Sequence, residues 1–203
     1  MTISQSATLK NAKLDQEETT IGTAPLLRVY NGTAPATADT ALSGNTLLAT
    51  GALPSDWLAN ASAGVKSKSG VWTITGQAGA GAGTAGIFFR IYDSAGTNCH
   101  WQGTFGVTVP LTTNALTAAN GNVLNFAATT GVAVGQAISG TGVPAGATVL
   151  AFTGTTVTMS VASTAGVANA AAITFGYDMT VDNNSIANTQ VLTVNSFSIT
   201  AGN

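Results

Sequence analysis

Cys99 and His100 are the first pair in this chain whose types suggest chemistry, because a thiol nucleophile needs an imidazole base. They are the only cysteine and the only histidine in 203 residues. On an extended segment, adjacent side chains leave opposite faces, so these two cannot meet as nucleophile and base. One His and one Cys are too few for a zinc site. A single cysteine also excludes an internal disulfide. The pair reads as part of a hairpin or an interface.

The remaining chemical motifs are weaker. "GAGTAG" (Gly81, Gly83, Gly86) fits the dinucleotide pattern G-x-G-x-x-G. That pattern must lead from a strand into a helix, and here "IFFRIYD" follows, which is strand-like. Asp178 and Asp182 stand four apart beside Asn183 and Asn184, too loosely for a calcium loop; solvated turn residues are the better reading, with a cation left open. Asp93 opens a turn and is expected to cap its N–H groups, and Asp56 to do the same beside Trp57. A glycan hydrolase would need Asp56, Asp93 and Asp178 to converge within roughly 10 Å. Trp57, Trp72 and Trp101 could stack on sugars in a carbohydrate-binding module, but three tryptophans in a small β core are expected to pack inside it. The sequence therefore names no catalytic residue, no cofactor-binding residue and no metal ligand, and no enzyme is expected.

The elements that would position such residues are equally unusual. Only 7% of residues are charged, against about 25% in ordinary globular chains. Net charge is −2, which gives no field for nucleic acid and no basic cluster for an anionic membrane. No apolar run reaches the roughly 18 residues of a membrane helix. The opening "MTISQSATLK" lacks the charged start and apolar core of a secretory signal, so synthesis in a cytoplasm is expected. The charges are also unevenly placed: residues 107–176 contain no Asp, Glu, Lys or Arg. A shift of that kind marks a candidate domain boundary.

Residues 9–22, "LKNAKLDQEETTIG", fit a short helix. Ser6 or Thr8 would cap it, Leu14 and Ile21 share a face, and Gly22 would stop it. Its lysines come first and its glutamates last, against the helix dipole. Alone it would be marginal, so it is expected to dock. Two docking sites fit: its own domain, or a partner that the arm 1–20 would grip through Leu9, Lys10, Lys13, Leu14, Glu17 and Glu18.

Beyond Gly22 the pattern is β. "LLRVY", "LLATGALP" and "GVWTITG" read as strands, with one helical turn capped by Ser55 between the last two. "GIFFRIYDSAGTNCHWQGTFG" (86–106) is a hairpin. Ile87, Phe89 and Ile91 share one face and Phe88, Arg90 and Tyr92 the other, with Gly96 in the turn. Its return strand is expected to alternate through Cys99, Trp101 and Gly103. The uncharged block holds further short runs, with Val157, Met159 and Val161 on one face and Pro144 at the first corner of a "VPAG" turn. In "VLTVNSFSIT" the phase slips between Leu192/Val194 and Phe197/Ile199, which predicts a bulge or bend. Sheets without edge charges invite pairing with other chains, so the uncharged block must have closed, covered or geometrically separated edges.

Several of these segments carry a resemblance. "LRVYNGTAP" (27–35), "LPSDW" (53–57), "FRIYDSAGT" (89–97) and the closing "DMTVDNNSIANTQVLTVNSFSITAGN" (178–203) resemble a family of small β-rich structural proteins of tailed bacteriophages. The match spans roughly 21–106 and 177–203. Between them, "GVAVGQAISGTGVPAG" (131–146) is similar to a module of phage tail and surface proteins. The resemblance implies an all-β fold: a discontinuous β-sandwich or jelly-roll-like barrel, 21–106 plus 177–203, with 107–176 inserted and a short N-terminal helical arm, 1–20. It implies a virion protein made in the bacterial cytoplasm. The role expected is a capsid decoration or cement protein at the capsid surface, whose base and arm bind the major capsid protein and which meets neighbouring copies of itself. The alternative it leaves is a tail or fibre component that contacts the host.

Overall fold

A computed structural model of the protein describes residues 4–201. The chain divides into two compact units. One is formed by residues up to Gly106 together with those from Met179 onward, and the other is Val107–Asp178. The first break falls at the expected 106/107 junction, past the last charge at Asp93; the second lies two residues beyond the expected 176/177 junction.

The first unit begins with helix α1 (Ala7–Ile21). Its strands are β1 (Leu26–Asn31), β2 (Thr46–Ala52), β3 (Val65–Ser67), β4 (Trp72–Gly76), β5 (Thr84–Ala85), β6 (Phe88–Tyr92) and β7 (Cys99–Gly106). The second unit holds β8 (Val109–Thr112), β9 (Val123–Asn125), β10 (Ala137–Gly140), β11 (Val149–Phe152), β12 (Thr156–Met159) and β13 (Ala172–Gly176). The chain then returns to the first unit as β14 (Met179–Val181), β15 (Ser185–Ile186) and β16 (Val191–Thr200).

In the first unit the strand order is β14-β7-β6-β1-β2-β4-β16, and β16 pairs back onto β14. The sheet thus closes on itself as a barrel, which removes its main edges. β3 and β4 pair with different stretches of the long β16. Inside lie Leu27, Val29, Ile74, Phe89, Ile91, Phe105, Leu192 and Val194, with Trp57 and Trp72 fully buried among them. Their alternation along each strand is what period-2 burial demands. β6 is buried on both faces. Phe89 and Ile91 enter the barrel, while Phe88 and Tyr92 join Tyr30 in a second cluster outside it.

Three bulges interrupt the barrel wall; one makes Leu48 of β2 the extra residue, since Val29 faces Ala49 and Tyr30 faces Leu47, and the other two bear on the expected register. Val194 of β16 pairs with Val181 and Ser196 with Thr180, so Asn195 is the extra residue and the predicted slip of phase is a bulge. The other of these two was not foreseen. Ile91 faces Trp101 and Tyr92 faces Cys99, so His100 is extra. Cys99 and Trp101, expected on one face, are therefore separated: Trp101 packs on the barrel core and Cys99 on the outer cluster.

The expected helical turn after Ser55 is absent. Residues 55–64 run irregularly, with single bridges from Leu58 to Lys68 and from Ser62 to Val65. The N–H groups of Leu58, Ala61 and Gly64 bond to side chains of α1 instead of to their own turn. Local propensity lost to tertiary partners. Gly76 shows a different constraint, since a Cβ there would sit 1.9 Å from the Ala187 carbonyl oxygen.

In the second unit two three-stranded sheets, β10-β13-β8 and β11-β12-β9, enclose Leu124, Phe126, Ile138, Val149, Val157, Met159, Ile173 and Phe175. Both seams between the sheets are stitched. Ala137 bridges Thr148, and Ile138 donates to Ala147 O at 2.8 Å. On the other side Thr113 bridges Phe126, and Asn114 donates to Asn125 O at 2.9 Å. The uncharged block protects its edges by closing into a small flattened barrel. Val157 and Met159 face its core as expected, but Val161 lies past the end of β12 and is exposed. The turn at "VPAG" is one residue later than expected. Ala147 N–H closes it onto Pro144 O, and Gly146 takes the positive φ of 76° that its third position requires.

Candidate functional site

A group of interacting polar side chains in the first unit lies under α1. Ser6 caps the helix, with Oγ accepting from Leu9 N–H at 3.3 Å, and Gly22 ends it at φ 89°, its N–H bonding Glu18 O. Two apolar side chains, Leu14 and Ile21, are buried beneath it. Beside them Asn11, Asp15 and Glu18 form one polar stripe at helical spacing. Asn11 Oδ1 accepts from Gly64 N–H at 2.8 Å, Asp15 Oδ1 from Ala61 N–H at 3.1 Å, and Glu18 Oε1 from Leu58 N–H at 3.2 Å. Three backbone donors, each three residues apart, thus meet three oxygens on one helix face.

Lys66 rises from β3 into the same stripe. Its Nζ lies 2.6 Å from Asp15 Oδ1 and 2.8 Å from Glu18 Oε2, and its side chain is 1% exposed. Burial alone would lower the ammonium's pKa, but the hydrogen bonds and charges of Asp15 and Glu18 outweigh it and hold the pKa above 10.5. Asp15 is held below 3.8, first by the Lys66 hydrogen bond and then by Ala61 N–H. The acids at the wrong end for the helix dipole are therefore there to meet a buried cation.

The six arm residues named from sequence separate into two groups. Leu14 and Glu18 point into this socket and hold α1 on its own barrel. The stem of Lys10 covers Gly64, where a Cβ would meet Lys10 Cδ at 3.2 Å. Leu9, Lys13 and Glu17 are exposed. Of the two docking sites expected, the helix occupies the one on its own domain, and it runs to Ile21. Asn11, Asp15 and Lys66 were missed. The i, i+4, i+7 spacing of Asn11, Asp15 and Glu18 was a usable signal; the cation they serve was not, because it lies about fifty residues away in sequence.

A groove of about 410 Å³ lies between α1 and β7, lined by Lys13, Gln16, Glu17, Thr20, Ile21, His100 and Trp101. Trp101 backs onto Trp57 and Phe197, with ring centroids 5.4 and 5.7 Å away. Trp57 and Trp72 lie inside the core and cannot form an exposed row. A second cleft, about 250 Å³, lies beside Arg90 and Cys99. Arg90 donates Nε to Gln102 Oε1 at 2.8 Å and Nη2 to the carbonyls of Thr37 and Thr40 at 3.2 and 2.7 Å, pinning loop 33–43 over the outer cluster. Burial raises the pKa of the Cys99 thiol. His100 faces the groove beside α1 and Cys99 this cleft, so the two do not act together.

The other motifs have structural employment. "GAGTAG" (81–86) follows a 3₁₀ turn at Ala78–Ala80 and contains the short β5, with no helix after it. Asp93 accepts from the N–H groups of Thr97 and Asn98, at 2.9 and 3.2 Å, and its pKa falls to about 2, chiefly through the Thr97 bond. Asp182 accepts from Thr193 N–H at 3.1 Å. Among the described residues no three of His, Cys, Asp and Glu converge as metal ligands, and no helix is long and apolar enough to cross a membrane.

No protein-family model, curated protein or solved structure matches this chain.

Proposed function

We propose that this chain is a structural component of a tailed-bacteriophage particle, a decoration or cement protein seated on the major capsid protein. The observation that carries the reading is the character of the second unit. It is closed on both seams, and its outer surface has no Asp, Glu, Lys or Arg from 107 to 176. That surface nevertheless exposes Leu116 at 68%, Leu150 at 60% and Phe152 at 44%. Such a surface suits lasting contact in an ordered assembly better than free diffusion. The likeness of "ISGTGVPAG" to tail modules favours a second reading, a tail or fibre component.

Copy number separates them. In purified particles encoding this chain, quantitative mass spectrometry against the major capsid protein should find hundreds of copies for a decoration protein. A handful would favour the tail reading, and absence from the particle would overturn both.

A further inference from the structure

We infer that α1 is an exchangeable arm, and that the socket around Lys66 also accepts α1 from a second copy of this chain. The socket asks for an acidic helix and nothing larger. It offers one buried ammonium, three backbone N–H donors at Leu58, Ala61 and Gly64, and room for two apolar side chains. Charge and hydrogen-bond complementarity name α1 as the occupant, and every one of these contacts forms as well in trans as in cis.

The hinge favours release. Four residues, 22–25, join α1 to β1. Among them Ala24 has φ 50°, a left-handed conformation that costs a non-glycine residue free energy, and it precedes Pro25, which disfavours compact conformations of its neighbour. Pro25 is buried and its carbonyl accepts from Leu53 N–H, so the barrel side of the hinge is fixed and the strain sits on the helix side. Letting the helix swing out allows Ala24 to extend. Docking in cis has the advantage of the tether, equivalent to a local concentration of about a millimolar for a short linker. Exchange therefore takes over when copies are crowded to that level. Only this chain is needed, whatever larger structure surrounds it.

Charge reversal gives the test. One full-length variant carries Lys66→Glu, and the other carries Asp15→Lys with Glu18→Lys. Alone, each faces its own socket with a like charge, and the amides of Leu58, Ala61 and Gly64 should lose hydrogen-exchange protection while the barrel core keeps it. Mixed at about 1 mM, a concentration matched to the tether, the first chain's acidic helix fits the second chain's unaltered socket. The mass should double, and protection should return at those three amides in the second chain. Two variants that stay apart when mixed overturn exchange. So does a mixed dimer that forms equally well after residues 4–21 are removed. A measurement without substitutions guards against misfolded variants. ¹⁵N-labelled and unlabelled natural chains are mixed at the same concentration, and a carbodiimide joins Lys66 to Asp15 or Glu18. Mixed-isotope cross-linked peptides support exchange, and same-isotope peptides alone refute it.

Discussion

Lys66 Nζ and Asp15 Oδ1 lie 2.6 Å apart, yet the lysine side chain is 1% exposed and the aspartate 48%. The pair bridges a barrel strand and a helix that meets water on its far side. Their unequal burial means that the two partners cannot be removed at equal cost.

Removing the carboxylates while keeping the ammonium, as in Asp15→Asn with Glu18→Gln, strands a charge with no route to solvent. That should cost about 3–5 kcal/mol of helix docking. Lys66→Met leaves carboxylates that water can reach, and its methylenes are replaced by others, so its cost should be clearly smaller. Hydrogen exchange at the Leu58, Ala61 and Gly64 amides, compared across the two variants, measures the difference; equal losses would mean that burial does not govern the pair.

Acidity should release the same helix. Asp15 titrates lower in the folded chain than its ordinary 3.8, so its contribution is present above that value and fades as pH falls through the folded value. Lys66 titrates above its ordinary 10.5, so its contribution is complete below 10.5 and fades only at higher pH. Docking should therefore be flat across the neutral range and weaken below about pH 4. Tryptophan emission is the readout, because Trp57 donates to Gly22 O at the helix end. Asp93 also titrates in acid, near 2. An Asp93→Asn background removes its share and should leave the emission change in place.

Two glycines of the second unit should respond in opposite ways. A Cβ at Gly142 would lie 2.2 Å from Gly166 O, on backbone with φ 85°. Gly142→Ala should destabilise the small barrel by at least about 2 kcal/mol. Gly154 has nothing within 4 Å of its notional Cβ. Gly154→Ala should change stability by less than about 1 kcal/mol, in the favourable direction. Exchange rates at Val157 and Met159, inside that barrel, check both.

Excision of 107–178 should leave the first unit folded. β7 and β14 are parallel neighbours, with Phe105 beside Met179 and Gly106 beside Thr180. Parallel neighbours need a crossover connection, and the second unit supplies it. A flexible bridge of about a dozen small residues, long enough to turn the chain back to the start of β14, should replace the whole unit. All three tryptophans lie in the first unit. A blue-shifted emission that melts cooperatively is expected, and a red-shifted, non-cooperative product would show that the units depend on each other.

Much of this architecture was legible in the residues. Alternation along β6, β12 and β16 set which side chains face the cores, the uncharged stretch after Asp93 signalled a separate block without placing its edge, and Ser6 or Thr8 with Gly22 bounded the helix. These are local signals, since a strand's period and a helix cap depend on neighbours within a few positions. The turn at Pro144 and the irregular run after Ser55 show where local signals fail. Their backbone groups choose among partners at similar propensity, and distant atoms decide.

Composition and pattern by themselves determined an all-β chain with a marginal acidic helix and an uncharged block that had to hide its edges. Only the tertiary structure decided how: both units close into barrels, His100 bulges to split Cys99 from Trp101, and α1 lies on its own domain over Lys66. The physical reason is the same in each case. Closure, bulge register and the pairing of a buried cation are set by contacts between segments far apart in sequence. Their energies appear only once the chain has brought those segments together.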